Sequence, residues 1–549
     1  MLHRNSTTHP TSPKPTHQRP HRTHTSERTR TNRYKRTHRS TSPPRWCIRI
    51  HFDESATPSQ NRRTQNRGEA MNLNSTPASK NAVDDLGQHA TARVVLIAAA
   101  AALGGFLFGF DTAVINGAVD AVRGNFGLDA ARIGFAVSCA LLGSAAGAWY
   151  AGPLADRFGR VRAMQVAALF LALSALGSGL VTGVGSLVFW RLVGGIGVGV
   201  ASVIAPTYIA EISPAAVRGR LGSLQQLAIV LGIFAALLSD AWLAGTAGGA
   251  AHTLWLGLAA WRWMFLVAVV PALVYGSLVL GVPESPRHLV AKGRLAEAKD
   301  VLRQVLDMHN DAALDAKVKD IQDSLHSEYR PTLKDLRGPR LGLLPVVWIG
   351  ILLSVFQQFV GINVIFYYSS TLWHSVGFSE SDSFSITVAT SVVNVLVTLV
   401  AIALVDRIGR KPLLVIGSAG MTITLGAMAW CFSQATGAGA NLSLPAPWNM
   451  VALVSANAYV VFFGLSWGPM VWVLLGEMFP NRIRAIALAV AAAAQWLANF
   501  VITSTFPALS EVGLSFAYGL YAAFALISLV FVMKAVRETK GMELEDMQS

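Results

Sequence analysis

The feature that most limits the fold is a series of twelve apolar stretches, each about the ~20 residues that a helix needs to cross a bilayer. They lie near residues 94–115, 133–153, 163–182, 187–208, 221–240 and 262–282, then 343–368, 384–404, 412–433, 450–475, 485–508 and 514–534. Six precede a polar gap and six follow it. In hydrocarbon a backbone must satisfy its own polar groups, and continuous apolar runs of this length do so as helices. The expected fold is therefore an all-α membrane protein, with twelve transmembrane helices in two six-helix bundles. Between the groups, residues 283–341 hold 11 Lys+Arg and 10 Asp+Glu with patterns such as AEAKDVLRQVLDMHN, which predicts a helical linker in water. The domains follow: a polar tail over 1–92, bundles over 93–282 and 342–536, the linker over 283–341, and a short tail over 537–549.

Charge has to be located before it is interpreted. The net charge of +14 suggests nucleic acid, yet residues 1–70 carry 15 Lys+Arg against 4 Asp+Glu and the rest of the chain 30 against 27. No nucleic-acid partner is expected of so neutral and apolar a body. The tail is rich in Arg, Thr, Ser, Pro and His, poor in apolar runs, and predicted to be disordered. It lacks the apolar core of a secretory signal. It reads either as a polybasic segment for anionic surfaces or as residues outside the natural product, with Met71 the favoured start, because nothing in 1–70 has the order of a membrane-surface helix. Cys47, Cys139 and Cys431 form neither a disulfide framework nor a metal-ligand spacing. With no nucleophile–base arrangement either, the sequence predicts no enzyme, no metal site and no cofactor.

Basic residues orient the spans. The loops after the even-numbered spans carry 21 Lys+Arg, and those after the odd-numbered spans only Arg123, Arg132 and Arg262. Both termini and the linker are expected to be cytoplasmic, in a multi-pass protein of the cell (inner) membrane that functions as a monomer in the lipid bilayer.

Two short motifs recur in matching loops. Asp156-Arg157-Phe158-Gly159-Arg160 follows span 2, and Asp406-Arg407-Ile408-Gly409-Arg410 follows span 8. Glu211, Pro214 and Arg218 follow span 4; Glu477, Pro480 and Arg484 follow span 10 with the same spacing. The halves are thus structural repeats, as in transporters whose site lies between repeats. The glycines suit a tight reversal with positive φ. The aspartates can favour a neighbouring helix N-terminus, and the arginines can pair with Glu211 or Glu477 in a latch that forms when the cytoplasmic side closes.

Two charges fall inside the membrane. Asp111 and Arg191 are expected near the outer ends of spans 1 and 4, about five and four residues from the surface. An unpaired charge there costs about 2.5–3.5 kcal/mol on insertion scales. A guanidinium keeps a carboxylate ionised, and moving it away favours protonation, which makes a proton switch. Amides then mark a polar cavity: Gln357, Gln358 and Asn363 in span 7 with Tyr367 a turn beyond, Gln226 in span 5, Asn394 in span 8, Gln495 beside Trp496 in span 11, and Trp472 in span 10. Amides that donate and accept, with aromatic walls, suit a sugar's hydroxyls and ring face. Buried amides can also join helices. Gly464, Gly468 and Pro469 should interrupt span 10, and Gly361 span 7. The Gly-rich run 194–199 reads as close helix packing.

Taken jointly, GGFLFGFD (104–111), GPLADRFGR (152–160), RLVGGIGVG (191–199), YIAEISPAAVRGR (208–220), PESPRHL (283–289), QQFVGINVIFYY (357–368), VDRIGRKPL (405–413), WGPMVWVLLGEMFP (467–480), AQWLANF (494–500) and ETKG (538–541) resemble the sugar porter branch of the major facilitator superfamily. Arg537 stands where that pattern has proline, and Ala485 where it has glycine. The resemblance implies the major facilitator fold and import of a monosaccharide with a proton. It implies that Asp111 carries the proton, that Gln226, Gln357, Gln358, Asn363, Asn394, Trp472 and Gln495 contact sugar, and that Phe108 and Trp496 form apolar walls. Ile233 lies seven residues after Gln226 on the same helix face; by the resemblance Ile there marks hexose carriers, and a second Gln xylose carriers. A facilitator without proton coupling, or a pentose, polyol or inositol symporter, would use the same scaffold.

Overall fold

The computed structural model describes residues 77–539 except 215–217, 307, 309, 328–331, 340, 437–442 and 481. The expectations for residues 1–70, for Met71 and for residues 540–549 lie outside the described residues. Among those described, twelve helical spans are long and apolar enough to cross a membrane: Ala92–Phe126, Ala130–Phe158, Arg160–Gly179, Val184–Ile212, Leu221–Ala247 and Ala260–Leu280, then Pro345–Ser375, Glu380–Val405, Arg410–Ser433, Trp448–Met478, Ile486–Val512 and Leu514–Ala535. These are spans 1 to 12. Large apolar side chains such as Leu169, Leu173, Leu176, Leu273, Leu396 and Leu526 stay exposed around them. A water-soluble surface would not present so many, whereas a hydrocarbon solvent favours them.

Two boundaries differ from the sequence reading. Residues 77–92, assigned to the tail, already belong to the first helix, Pro77–Ala113. Proline is suited to its first turn, where no in-helix partner for an N–H is needed. Span 1 also continues past residue 115, through Ile115–Phe126, and stops at Gly127, whose φ of 61° gives a left-handed cap.

Four spans are interrupted. Span 10 breaks at Ser466, between Trp448–Leu465 and Trp467–Met478. Pro469 has no N–H for the Leu465 carbonyl, so the ladder fails at that turn. Span 7 breaks between Pro345–Phe359 and Ile362–Ser375, where Gly361 has φ 86°. Span 6 breaks at Ala268, between Ala260–Val267 and Val269–Leu280, and span 1 breaks at Val114. The breaks of spans 10 and 7 are those that Pro469 and Gly361 predict.

Small residues let the helices approach. A side chain at Gly195 would strike the Ala140 carbonyl of span 2, and one at Gly199 the Ser144 carbonyl. The glycine run of span 4 is therefore a packing surface, as its sequence implies. The linker, after span 6, contains the helices Pro286–Ala291, Leu295–Leu306 and Asp311–Ser327 around a small core of Leu289, Val290, Ala298, Leu302, Leu314 and Val318. The bundle end that carries it is termed the linker end; odd-numbered spans run away from it and even-numbered spans return.

Candidate functional site

Asp111 and Arg191 meet inside the first bundle. Arg191 Nη1 donates to Asp111 Oδ2 at 3.3 Å and to the Asp111 backbone carbonyl at 3.0 Å. The residues are 8% and 2% exposed. Their depth differs from the sequence estimate: span 1 ends at Phe126, so Asp111 lies fifteen residues from its far end rather than about five, and Arg191 seven residues after Val184. Only the bond to Oδ2 depends on the carboxylate's charge. A proton on Asp111 would loosen Arg191 without freeing it, because the carbonyl remains an acceptor.

The span 7 amides form a directed chain. Asn363 Nδ2 donates to Gln358 Oε1, Gln358 Nε2 to Gln357 Oε1 at 3.2 Å, and Gln357 Nε2 to the carbonyls of Trp467 and Gly468 at 2.8 and 3.3 Å. The chain bridges the break at Gly361 and ends on the break of span 10. Gln357 and Gln358 are buried and Asn363 is half-buried. The cluster thus joins two interrupted helices while Asn363 keeps some access to solvent.

The other residues singled out from sequence are placed unevenly. Phe108 of span 1 and Trp496 of span 11 pack across the two halves with ring centroids 5.5 Å apart. Gln226 and Ile233 are half-buried on span 5, and Gly109 of span 1 packs against the backbone beside Ile233. Asn394 is buried near Gly464. Gln495 is half-buried, and its Oε1 has no partner among the described residues. Tyr367 is buried beside Asn499 and Thr112, the residue after Asp111. Trp472 is 42% exposed and shows no ring contact among the described residues. Asn499 and Gln225, which packs on Gly105 of span 1, are buried amides that sequence reasoning passed over; each lies within four residues of one it selected.

At the linker end the repeated motifs build matching networks. Arg160 makes a two-pronged ion pair with Glu211, both bonds 3.0 Å, and Arg410 pairs with Glu477 at 2.9 Å. Gly159 and Gly409 take φ of 100° and 102°, the conformation their turns require. Each pair lies within one half, because the arginine opens span 3 or 9 and the glutamate ends span 4 or 10 of that same bundle. One expectation needs correction. The N-terminus of span 3 is covered by Glu284 rather than by Asp156, and that of span 9 by Glu538. Glu284 accepts the N–H groups of Arg160 and Val161 at 2.9 and 3.2 Å, and Glu538 those of Arg410 and Lys411, both at 3.0 Å. Asp156 is exposed and bonds Arg160 at 3.2 Å. Arg157 lies over the Phe158 ring, Arg407 is exposed, and Arg484 donates to the Phe479 carbonyl at 3.1 Å. The side chains of Arg218 and Asp406 lie outside the described residues. Glu284-Ser285 after span 6 and Glu538-Thr539 after span 12 are a third repeated pair, legible once the halves are aligned.

At the opposite end, bonds cross between the halves. Asn116 of span 1 donates to the Phe366 carbonyl and to Ser369 of span 7 at 3.0 and 3.3 Å. Arg123 pairs with Glu511 at 2.9 Å, Thr371 donates to Asp120 at 3.1 Å, and the Ala250 N–H donates to Glu380 at 2.8 Å.

A model of the family "Sugar (and other) transporter" matches residues 97–549. The chain belongs to the sugar transporter family. A glucose transport protein of Synechocystis sp. is 56% identical over 456 residues, 83% of this chain and 97% of that one. The D-xylose-proton symporter of Escherichia coli K12 is 38% identical over 498 residues, 84% and 96% of the two chains. Among solved structures, the partially occluded inward open conformation of the xylose transporter XylE from E. coli superposes with a TM-score of 0.71 at 36% identity, covering 82% of this chain and all of that one. The sugar porter is thus a multi-pass membrane protein with the major facilitator fold, as its motifs imply.

Proposed function

We propose that the protein imports a monosaccharide, a hexose of the glucose class, together with a proton by alternating access. The observation that carries this reading is the buried Asp111–Arg191 pair in the first bundle, with Tyr367 of the second bundle beside the neighbouring Thr112 and Phe108 meeting Trp496 across the halves. A protonatable acid and a lined interface between repeats are the two parts a symporter needs. The excess of basic residues in the linker-end loops supports a cytoplasmic linker and cytoplasmic termini in the cell membrane. On that orientation, the bonds of Asn116, Arg123 and Ala250 hold the external end closed.

The cycle then follows from the contacts. With the external end open, a proton reaches Asp111 and weakens its charge-dependent hold on Arg191; sugar engages Asn363, Gln358 and the amides of spans 5, 8 and 11. The external bonds form around the loaded carrier, and the site opens toward the linker end. The Arg160–Glu211 and Arg410–Glu477 pairs keep each bundle rigid as it rocks. The glucose transport relative at 56% identity, beside 38% for the xylose symporter, and Ile233 both support a hexose. The test is radiolabelled glucose uptake by proteoliposomes with an imposed pH gradient. Accumulation driven by an inward proton gradient, abolished by protonophore and competed by hexoses over xylose and inositol, is expected; protonophore-insensitive uptake would mean a facilitator.

A further inference from the structure

The break in span 1 has two buried charged side chains, one on each side. An interrupted helix strands carbonyls before the break and N–H groups after it. Before Val114, Arg191 donates to the Asp111 carbonyl at 3.0 Å. After it, Oδ2 of Asp240 in span 5 accepts the Gly117 N–H at 3.3 Å. A cation thus meets the carbonyl end and a carboxyl the N–H end, the polarity that each helix end favours.

The two charges are not treated alike. Arg191 has Asp111 as a counter-ion; among the described residues Asp240 has none. Asp240 is fully buried, and its Oδ1 has no hydrogen-bond partner among the described residues. In the half of the bundle away from the linker, the elements packed on span 5 carry Asp111, Asp120 and Arg123 of span 1, Arg191 of span 4, Arg262 of span 6, and Glu380 and Asp382 of span 8. Among the described residues none of them forms an ion pair with Asp240, and the Gly117 amide is the one hydrogen bond it accepts. A single neutral N–H does not repay the burial of an ionised carboxylate, so such a group takes up a proton instead.

The site also lies where the halves separate. Asn116, the neighbour of Gly117, bonds span 7, and span 5 packs against span 8 of the other half. Opening this end withdraws spans 7 and 8 and removes part of the cover that keeps water from Asp240. We propose that Asp240 is a second proton-binding site, separate from Asp111, that takes a proton on Oδ1 when the end opposite the linker is closed and releases it when that end opens. Closure of that end is then proton-linked in its own right, whichever sugar is carried and whether or not Asp111 couples transport.

Infrared spectroscopy of the full-length protein in lipid at neutral pH tests this directly. The carbonyl-stretch band of a protonated carboxyl is expected in the wild type and in Asp111→Asn, and is expected to be lost in Asp240→Asn. Asp240→Glu, which keeps an acid, should retain the band at a shifted position. Absence of the band from the wild type, or its persistence in Asp240→Asn, overturns the proposal. Counterflow of glucose, which needs no proton gradient, gives the functional arm. The wild type should lose activity severalfold at alkaline pH as closure becomes costlier, and Asp240→Asn, an isostere of the neutral acid, should flatten that limb. Superimposable wild-type and Asp240→Asn profiles would count against the site. Because the infrared arm involves neither sugar nor gradient, it stands or falls independently of the proposed symport.

Discussion

Asn116 and Ser370 fasten the two halves at the end opposite the linker: the Ser370 hydroxyl donates to the Asn116 carbonyl at 2.8 Å, and the Ser370 N–H to the Asn116 side chain at 3.4 Å. With its bonds to Phe366 and Ser369, the Asn116 side chain takes part in three buried contacts across the interface. Asn116→Ala deletes all three. At about 1 kcal/mol or less each, the closed state should lose about 2 kcal/mol, a roughly thirtyfold shift toward opening. Spin labels at the exposed positions Gly124 and Val512 should then report a longer-distance population. An unchanged distance distribution would remove Asn116 from the closure.

The Asp111–Arg191 pair predicts unequal effects for its two partners. Asp111→Asn leaves Arg191 its carbonyl acceptor, so the protein should fold and exchange sugar while losing gradient-driven accumulation. Arg191→Ala instead strands a buried carboxylate, which typically costs about 3–5 kcal/mol. Its yield and thermal stability should fall sharply, and adding Asp111→Asn should restore much of both. Equal stability of the two single variants, measured by thermal unfolding in the same detergent, contradicts the pairing.

Most of the fold was legible because hydrocarbon leaves a chain few options: span number, the six-plus-six division and the breaks at Gly361 and Ser466 all follow from apolar length, glycine and proline. The break at Val114 was not, since it depends on tertiary partners, Arg191 and Asp240, that satisfy what the helix leaves open. Asp111 and Arg191 could be paired from their charge, yet their depth was misjudged because span 1 runs to Phe126. The loop motifs announced that charges would meet, but not that each pair would stay within one bundle. Asp240 was overlooked although an acid inside an apolar span is itself a signal.

Gln357 predicts a distinction between two substitutions. Its Nε2 donates to the carbonyls of Trp467 and Gly468, while its Oε1 accepts from Gln358. Gln357→Ala loses the donor and leaves buried acceptors and Gln358 unsatisfied; sugar affinity should fall about fivefold to 150-fold, given about 1–3 kcal/mol for such a loss. Gln357→Glu keeps the shape but turns a carboxylate toward two carbonyl oxygens. It should be worse than Ala in both stability and binding, or bind sugar only at acidic pH. Equilibrium binding of glucose to the purified variants checks the order, and Glu outperforming Ala at neutral pH would refute the donor role.

His288 predicts how stability responds to acid. It is buried in the linker at the Arg160 network, with Nδ1 3.3 Å from Arg160 Nη1. Arg160 can only donate, so Nδ1 must be the unprotonated nitrogen. Burial holds the imidazole below its ordinary value; nearby Glu284 opposes this, and Arg160 and Lys292 reinforce it. Because the folded-state value lies below that of the unfolded chain, the unfolded chain binds the proton more readily. The contribution is complete above the ordinary histidine value of about 6.5 and is lost as pH falls through it toward the lower folded-state value. Thermal unfolding of the wild type should therefore show a Tm that declines on acidification through this window. His288→Asn, which can accept from Arg160 but does not titrate there, should show a smaller decline. Parallel declines in the two proteins would assign the acid sensitivity to other groups.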